Sequence, residues 1–204
     1  MGFDKLAAPL RGKPVLQRTL EAFLTASSIS EIIVVCPEER WPLVANMNFT
    51  KPVTRTDGGA ERQDSVAAGM ALISPHIQLV AVHDGARPLV ASDDIDRCVA
   101  AACEHRSAAL ARRVTETLKR SDANDYTTGA VDRERLWFME TPQVFEIRLL
   151  RDAYSAVTAQ GLHVTDEVSA LEGIGIPVKL VEAIRPNLKI TTAADLALAE
   201  ALIL

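Results

Sequence analysis

Apolar positions along this chain follow two rhythms in turn. From Val15 to Leu24 they recur at Leu16, Leu20, Phe23 and Leu24, the spacing of one helix face. Ile32-Ile33-Val34-Val35-Cys36 then runs unbroken to Pro37, and a β-branched run of this kind predicts a strand buried on both faces. Helical spacing returns over Gln63 to Ile73, with Val66, Met70 and Ile73 on one side. Leu79-Val80-Ala81-Val82-His83 predicts a second buried strand, and Ser92 to Cys103 a helix that Ser92 could cap. Further on, Ile147 to Gln160 reads as helix and Val178 to Glu182 as strand. A last helix spans Thr192 to Leu204, its start marked by Thr192 and Asp195 in capping-box spacing. Such alternation predicts an α/β fold of three layers, α/β/α, around a mostly parallel, Rossmann-like sheet. In that architecture ligands bind outside the carboxyl ends of the strands.

One stretch breaks the rhythm. Leu118 to Phe145 is polar, lacks helical periodicity and carries the turn formers Asp122, Asn124 and Gly129. It predicts a projecting β-arm at about 118–145, and such an excursion usually serves a ligand or an oligomer contact. A chain of 204 residues suits one well-buried domain, so a single domain over 1–204 is expected. Its opening, Met1-Gly2-Phe3-Asp4-Lys5, shows no apolar strand, although α/β domains ordinarily begin with one.

The formal net charge of -5 excludes a broad basic surface for nucleic acid, and 4% aromatics argue against stacking platforms for single strands. A phosphorylated ligand would have to be met by a local cluster of cations. The cysteines Cys36, Cys98 and Cys103 form neither a disulfide framework nor a metal cluster, which fits a reducing compartment. No apolar run has transmembrane length and no signal peptide opens the chain, so a cytoplasmic protein without a membrane partner is the default expectation. His76, His83, His105 and His163 show no metal spacing, and His83 is expected to be a satisfied buried histidine.

Five short strings carry candidate chemistry. His83-Asp84-Gly85-Ala86-Arg87-Pro88 directly follows a predicted strand, which puts Asp84 at the carboxyl edge of the sheet. Magnesium is typically held by one or two carboxylates plus substrate phosphates, a task that suits Asp84. Arg87 offers a planar fork for phosphate or carboxylate. Read alone, the string is equally a capped turn with a surface ion pair. Asp57-Gly58-Gly59-Ala60-Glu61-Arg62-Gln63-Asp64-Ser65 sets paired glycines before a helix, where exposed N–H groups can read a base or phosphate and Ser65 lies in the first turn. Its plain reading is a glycine turn with an Asp64 cap and a solvated Arg62. Pro186-Asn187-Leu188-Lys189-Ile190-Thr191 offers a lysine that could meet phosphate, or simply an exposed turn. The arm carries Thr117, Lys119, Asp132, Arg133, Arg135, Trp137 and Thr141-Pro142-Gln143, and Thr165-Asp166-Glu167 reads as a helix start with favourable acids.

Taken in order, these strings are far more specific than any one of them. Gly58-Gly59-x-Glu61-Arg62-x-Asp64-Ser65-Val66, His83-Asp84-x-Ala86-Arg87-Pro88, Thr117-x-Lys119, Arg133-x-x-Leu136-Trp137, Thr141-Pro142-Gln143-x-Phe145, Thr165-Asp166-Glu167 and Asn187-x-Lys189-Ile190-Thr191 resemble the 2-C-methyl-D-erythritol 4-phosphate cytidylyltransferases of the non-mevalonate isoprenoid pathway. The resemblance spans essentially the whole chain. It implies a nucleotidyltransferase that moves CMP from CTP to the methylerythritol phosphate, releases pyrophosphate and uses magnesium or another hard divalent cation. By position it implies Asp84 as the metal ligand, and Gly58, Gly59, Ala60, Ser65 and Gly85 as nucleotide contacts. Lys5 would stabilise charge on the α-phosphate, and Arg133 and Lys189 would hold the acceptor's phosphate near Arg87, Thr117 and Thr165. It further implies a homodimer whose arm brings Thr117 and Arg133 to the neighbour's site. The ribitol-5-phosphate cytidylyltransferases share many of these strings and give the alternative acceptor; a non-catalytic nucleotide-binding domain is the other alternative. The family's opening strand and its glycine-rich, arginine-bearing loop find no counterpart ahead of Met1, although Met1-Gly2-x-x-Lys5 looks like that loop's tail. Glu116 also stands where the family usually has aspartate.

Overall fold

The computed structural model describes residues 4–161 and 164–203, so the Met1-Gly2 match and His163 lie outside the described residues. A small hairpin, β1 (Pro9–Leu10) and β2 (Lys13–Pro14), leads into α1 (Val15–Thr25), β3 (Ile32–Val35), a 3-10 turn over Glu38–Leu43 and β4 (Val53–Thr56). Next come α2 (Arg62–Met70), β5 (Leu79–Val82), α3 (Ser92–His105) and β6 (Ser107–Arg113). An outlying hairpin pairs β7 (Leu118–Ser121) with β8 (Thr127–Val131). The chain closes with β9 (Trp137–Glu146), α4 (Ile147–Gln160), α5 (Glu167–Gly173), β10 (Lys179–Glu182) and α6 (Ala193–Leu202).

The central sheet has the order β10-β6-β9-β5. β10 and β6 pair parallel, while β9 pairs antiparallel with both β6 and β5, so three of these strands share one direction and β9 opposes them. Alternation along β9 explains the layers. Val144 packs with Ile95, Cys98 and Leu110 under α3, whereas its neighbour Phe145 packs with Leu150, Ala153 and Leu171 under α4 and α5. Helices therefore cover both faces, as an α/β chain of this pattern requires. Phe145 is fully buried and anchors the larger cluster, where truncation to alanine typically costs about 3–5 kcal/mol.

Several expectations need correcting. The strands β3 and β5 exist where the apolar runs put them, but β5 is half-buried throughout and β3 is half-buried except at Val34. β3 pairs with β4 in a separate two-stranded parallel sheet, and β3 and β5 both line a cavity of about 410 Å³. The arm ends earlier than polarity suggests. Its hairpin closes at Val131, and from Trp137 onward the chain belongs to the longest strand of the central sheet. Glu140, Thr141 and Gln143 make that strand look like surface, yet all three are buried. Ser92 does not cap α3; it is the first helical residue, after Ala91, and makes no capping bond. α2 stops at Met70, leaving Ile73 in the turn beyond. The capping box at Thr192 and Asp195 forms as expected.

Candidate functional site

Asp84 sits just past the end of β5, and its position is fixed by two bonds from one side chain. The Thr141 hydroxyl accepts the Asp84 backbone N–H at 3.1 Å and meets His83 Nδ1 at 2.9 Å. Burial pushes the His83 imidazole down to about 4, so at neutral pH the ring is uncharged and Nδ1 can accept from Thr141. Nε2 then donates to the Arg87 carbonyl at 3.4 Å, closing the turn from His83 to Arg87. His83 thus holds the loop, as expected of a satisfied histidine.

Around the Asp84 carboxylate stand three cations. Lys189 Nζ lies 2.9 Å from Oδ2, Arg87 Nε lies 3.5 Å from Oδ2, and Arg62 Nη2 lies 3.5 Å from Oδ1. Burial favours the neutral acid, but the bond and charge of Lys189, with Arg62 and Arg87, outweigh it and hold the carboxyl below the usual range. Lys189 arrives on a short segment pinned on both sides. Asn187 donates to the Thr141 carbonyl at 2.7 Å, and the Ile190 N–H donates to the Ala86 carbonyl at 2.8 Å. Arg87 reaches back to the Asn187 and Met139 carbonyls at 2.7 and 3.4 Å.

The glycine loop lies beside this cluster. Ser65 Oγ accepts the Gly59 N–H at 3.1 Å, which curls Gly58 to Ala60 over the start of α2. A side chain on Gly59 would not fit, because its Cβ would come 2.2 Å from the Asp64 Cβ, and one on Gly58 would push aside the Ser65 hydroxyl, 2.6 Å from its Cβ. Asp64 and Glu61 form a reciprocal capping box, so the cap is Glu61 with Asp64 as its partner rather than Asp64 alone. Arg62, Ser65, Asp84 and Gly85 all line the cavity between β3 and β5. Gly85 is hemmed by Leu16 and Leu6, and Lys5 is half-buried in the turn just before Leu6.

Other residues stay apart from this cluster within the chain. Thr117 and Arg133 are exposed, and the Arg133 guanidinium binds the Thr115 carbonyl at the base of the hairpin. Thr165 is exposed, ahead of α5, and its hydroxyl meets that of Ser169 at 3.4 Å. Among the described residues no group of three or more His, Cys, Asp or Glu is placed to hold a metal ion, so a cation at Asp84 would need ligands from a substrate.

The sequence patterns assign no site role to Arg62, Thr141, Asn187 or Glu167. The plain reading leaves Arg62 solvated, yet it binds both Asp84 and the buried Glu167. A signal is present in its position: it opens the helix behind paired glycines, where a basic side chain faces the strand ends.

A carboxylate at a strand tip, ringed by cations and flanked by a glycine loop at a helix start, fits a Rossmann-like nucleotidyltransferase fold. The solved structures agree. The 4-diphosphocytidyl-2C-methyl-D-erythritol synthase of Anaerococcus prevotii matches with a TM-score of 0.87 at 26% identity, over 96% of this chain and 91% of that one. The 2-C-methyl-D-erythritol 4-phosphate cytidylyltransferase of Thermus thermophilus matches with a TM-score of 0.82 at 34% identity, over 97% of this chain and 92% of that one. The chain belongs to the 2-C-methyl-D-erythritol 4-phosphate cytidylyltransferase family, whose model matches residues 1–204. A relative of that name from Parasynechococcus marenigrum is 42% identical over 207 aligned positions, covering 100% of this chain and 92% of the relative. Among the described residues no helix is long and apolar enough to cross a membrane.

Proposed function

We propose that this chain transfers CMP from CTP to 2-C-methyl-D-erythritol 4-phosphate, releasing pyrophosphate, in isoprenoid precursor synthesis. The observation that carries the reading is the Asp84 carboxylate, encircled by Lys189, Arg62 and Arg87 next to the Gly58-Gly59 loop. Chemistry of this type forms no covalent enzyme intermediate and asks for positioning and charge stabilisation. The loop N–H groups and Ser65 receive the nucleotide, with Ala60 and Gly85 allowing close approach. Asp84 with substrate phosphates fits a magnesium ion, which when bound would neutralise triphosphate charge.

The three cations explain why metal and nucleotide would arrive together. A bare divalent ion would have to displace Lys189 from Asp84 at 2.9 Å. Phosphate oxygens brought with the metal would give Lys189, Arg62 and Arg87 new anionic partners, so the exchange preserves charge balance. Lys189 and Arg87 would then face the acceptor's phosphate, and Lys5 the α-phosphate. Arg133 and Thr117 are exposed at the base of the hairpin, and among the described residues neither pairs with Asp84, a placement that fits a homodimer in which the hairpin serves the neighbour's acceptor site. The test is pyrophosphate release from CTP with methylerythritol phosphate and, in parallel, ribitol 5-phosphate. Preference for the first is expected; equal or faster turnover of the second would overturn the acceptor assignment.

A further inference from the structure

Glu167 is a carboxylate taken almost wholly out of water, with 1% of its side chain exposed. Burying an ionised carboxyl is costly unless a cation and hydrogen bonds compensate it. Here Arg62 Nη1 binds Oε1, and the Tyr154 hydroxyl donates to the same oxygen at 2.8 Å. Burial and then the Glu167 charge push the Tyr154 hydroxyl up, so it remains a protonated donor. Burial works against the Arg62 charge, and Glu167 outweighs it and raises the guanidinium above its ordinary value. The other Arg62 nitrogen, Nη2, faces Asp84 Oδ1 at 3.5 Å. One planar fork therefore joins a buried anchor to the strand-tip carboxylate.

The anchor is itself held from below. Gln143, buried in β9, accepts the Val168 N–H at 3.2 Å and donates to Asp166 Oδ2 at 2.9 Å, while Asp166 caps α5 through the Ser169 N–H. Glu167 lies in the first turn so fixed. At the other end, Arg62 is the first residue of α2, separated from Gly58-Gly59 by Ala60 and the cap Glu61. A displacement of Arg62 thus moves both a cation at Asp84 and the base of the glycine loop.

We propose that Glu167 and Tyr154 are positioning residues that strap Arg62 beside Asp84, committing this cation to the nucleotide's phosphates and leaving Lys189 for the acceptor. The proposal rests on the transferase reading above. Arg62 bridges two carboxylates, whereas Lys189, with 42% of its side chain exposed, is paired among the described residues with Asp84 alone.

The experiment pairs Glu167→Gln, which keeps the shape and removes the charge, with the milder Tyr154→Phe. The first readout is the nitrogen-15 guanidinium resonance of Arg62, assigned by its loss in Arg62→Lys. Slow hydrogen exchange is expected in the wild type, and accelerated exchange in both variants. The second is steady-state kinetics: kcat at saturating CTP should fall about tenfold in Glu167→Gln and about threefold in Tyr154→Phe, with the acceptor KM within about twofold. A folded variant whose Arg62 exchange matches the wild type, or one that loses melting temperature alone with kcat unaltered, overturns the proposal. If the wild type releases no pyrophosphate from CTP, the transferase reading fails, while the Arg62 resonance still decides whether the strap exists.

Discussion

Lys189 and Asp84 meet at 2.9 Å, one carried by the segment ahead of α6 and the other by the loop after β5. Nothing local brings them together. The contact depends on Asn187 and Ile190, buried on either side of the lysine, and on their bonds to Thr141 and Ala86. Asp84 is mostly buried but Lys189 keeps 42% of its side chain in solvent, and a pair of this kind adds little net stability, so its value lies in where it holds the lysine.

Replacing Asp84 by Asn keeps the shape and removes the charge that the three cations share. Metal-dependent turnover should fall by at least about 100-fold, the scale of losing a main electrostatic contact, with the circular dichroism spectrum unchanged. Normal turnover in a folded Asp84→Asn protein would remove its metal role.

Gly59 leaves no room for a side chain. Gly59→Ala would drive a Cβ to 2.2 Å from the Asp64 Cβ, displacing the residue that completes the Glu61 capping box. Loss of a cap typically costs about 1 kcal/mol, and the displaced loop should weaken CTP binding by about tenfold or more. Calorimetric titration with CTP and a thermal melt measure the two effects separately. Unchanged CTP affinity would mean that the loop does not read the nucleotide.

Acid sensitivity follows from another carboxylate. Asp96 accepts the backbone N–H groups and hydroxyls of both Ser27 and Ser28 at 2.5–3.0 Å. Burial opposes its charge, but these four bonds bring its pKa from 3.8 to about 2. A folded-state pKa below the unfolded one gives stability that is complete above about 4 and lost as pH falls through about 2. Asp96→Asn should therefore destabilise the protein by about 1 kcal/mol at pH 7, after discounting for solvent, and by much less at about pH 2. Denaturant unfolding at the two pH values checks this, and an equal loss at both would show that the charge is irrelevant.

Much of the fold is legible in the sequence because apolar spacing is set by which face meets the core. Helix α1 buries Leu16, Leu20 and Phe23 as its stripe predicts, and α4 and α6 form where their patterns place them. What misleads is the burial of polar groups for hydrogen bonding. Glu140, Thr141 and Gln143 look like surface in the sequence, but two of them are buried to support the site: Thr141 bonds Asp84 and His83, and Gln143 fixes α5. The role of Arg62 is hidden for a related reason, since the carboxylate that claims it lies far along the chain in α5. Asp84, Arg87 and Lys189 are visible because strand ends attract ligand chemistry, and those three do converge.

The hairpin supplies the sharpest test of assembly. Arg133 and Thr117 are exposed, and Arg133 binds the carbonyl of Thr115, so in one chain neither joins Asp84. If the hairpin serves a partner's site, Arg133→Ala should raise the acceptor KM by about tenfold or more, the range for losing a charged contact, while CTP affinity stays unchanged. Mixing Arg133→Ala with Asp84→Asn chains should then restore activity, because a mixed dimer contains one site with an intact Asp84 and an intact neighbouring Arg133. In a random mixture about half of the dimers are of this kind and each has one competent site, so activity should recover to about a quarter of the wild-type level. Mixed dimers, isolated by two different affinity tags, that show no more activity at low acceptor concentration than the Arg133→Ala parent would show that each chain completes its own site.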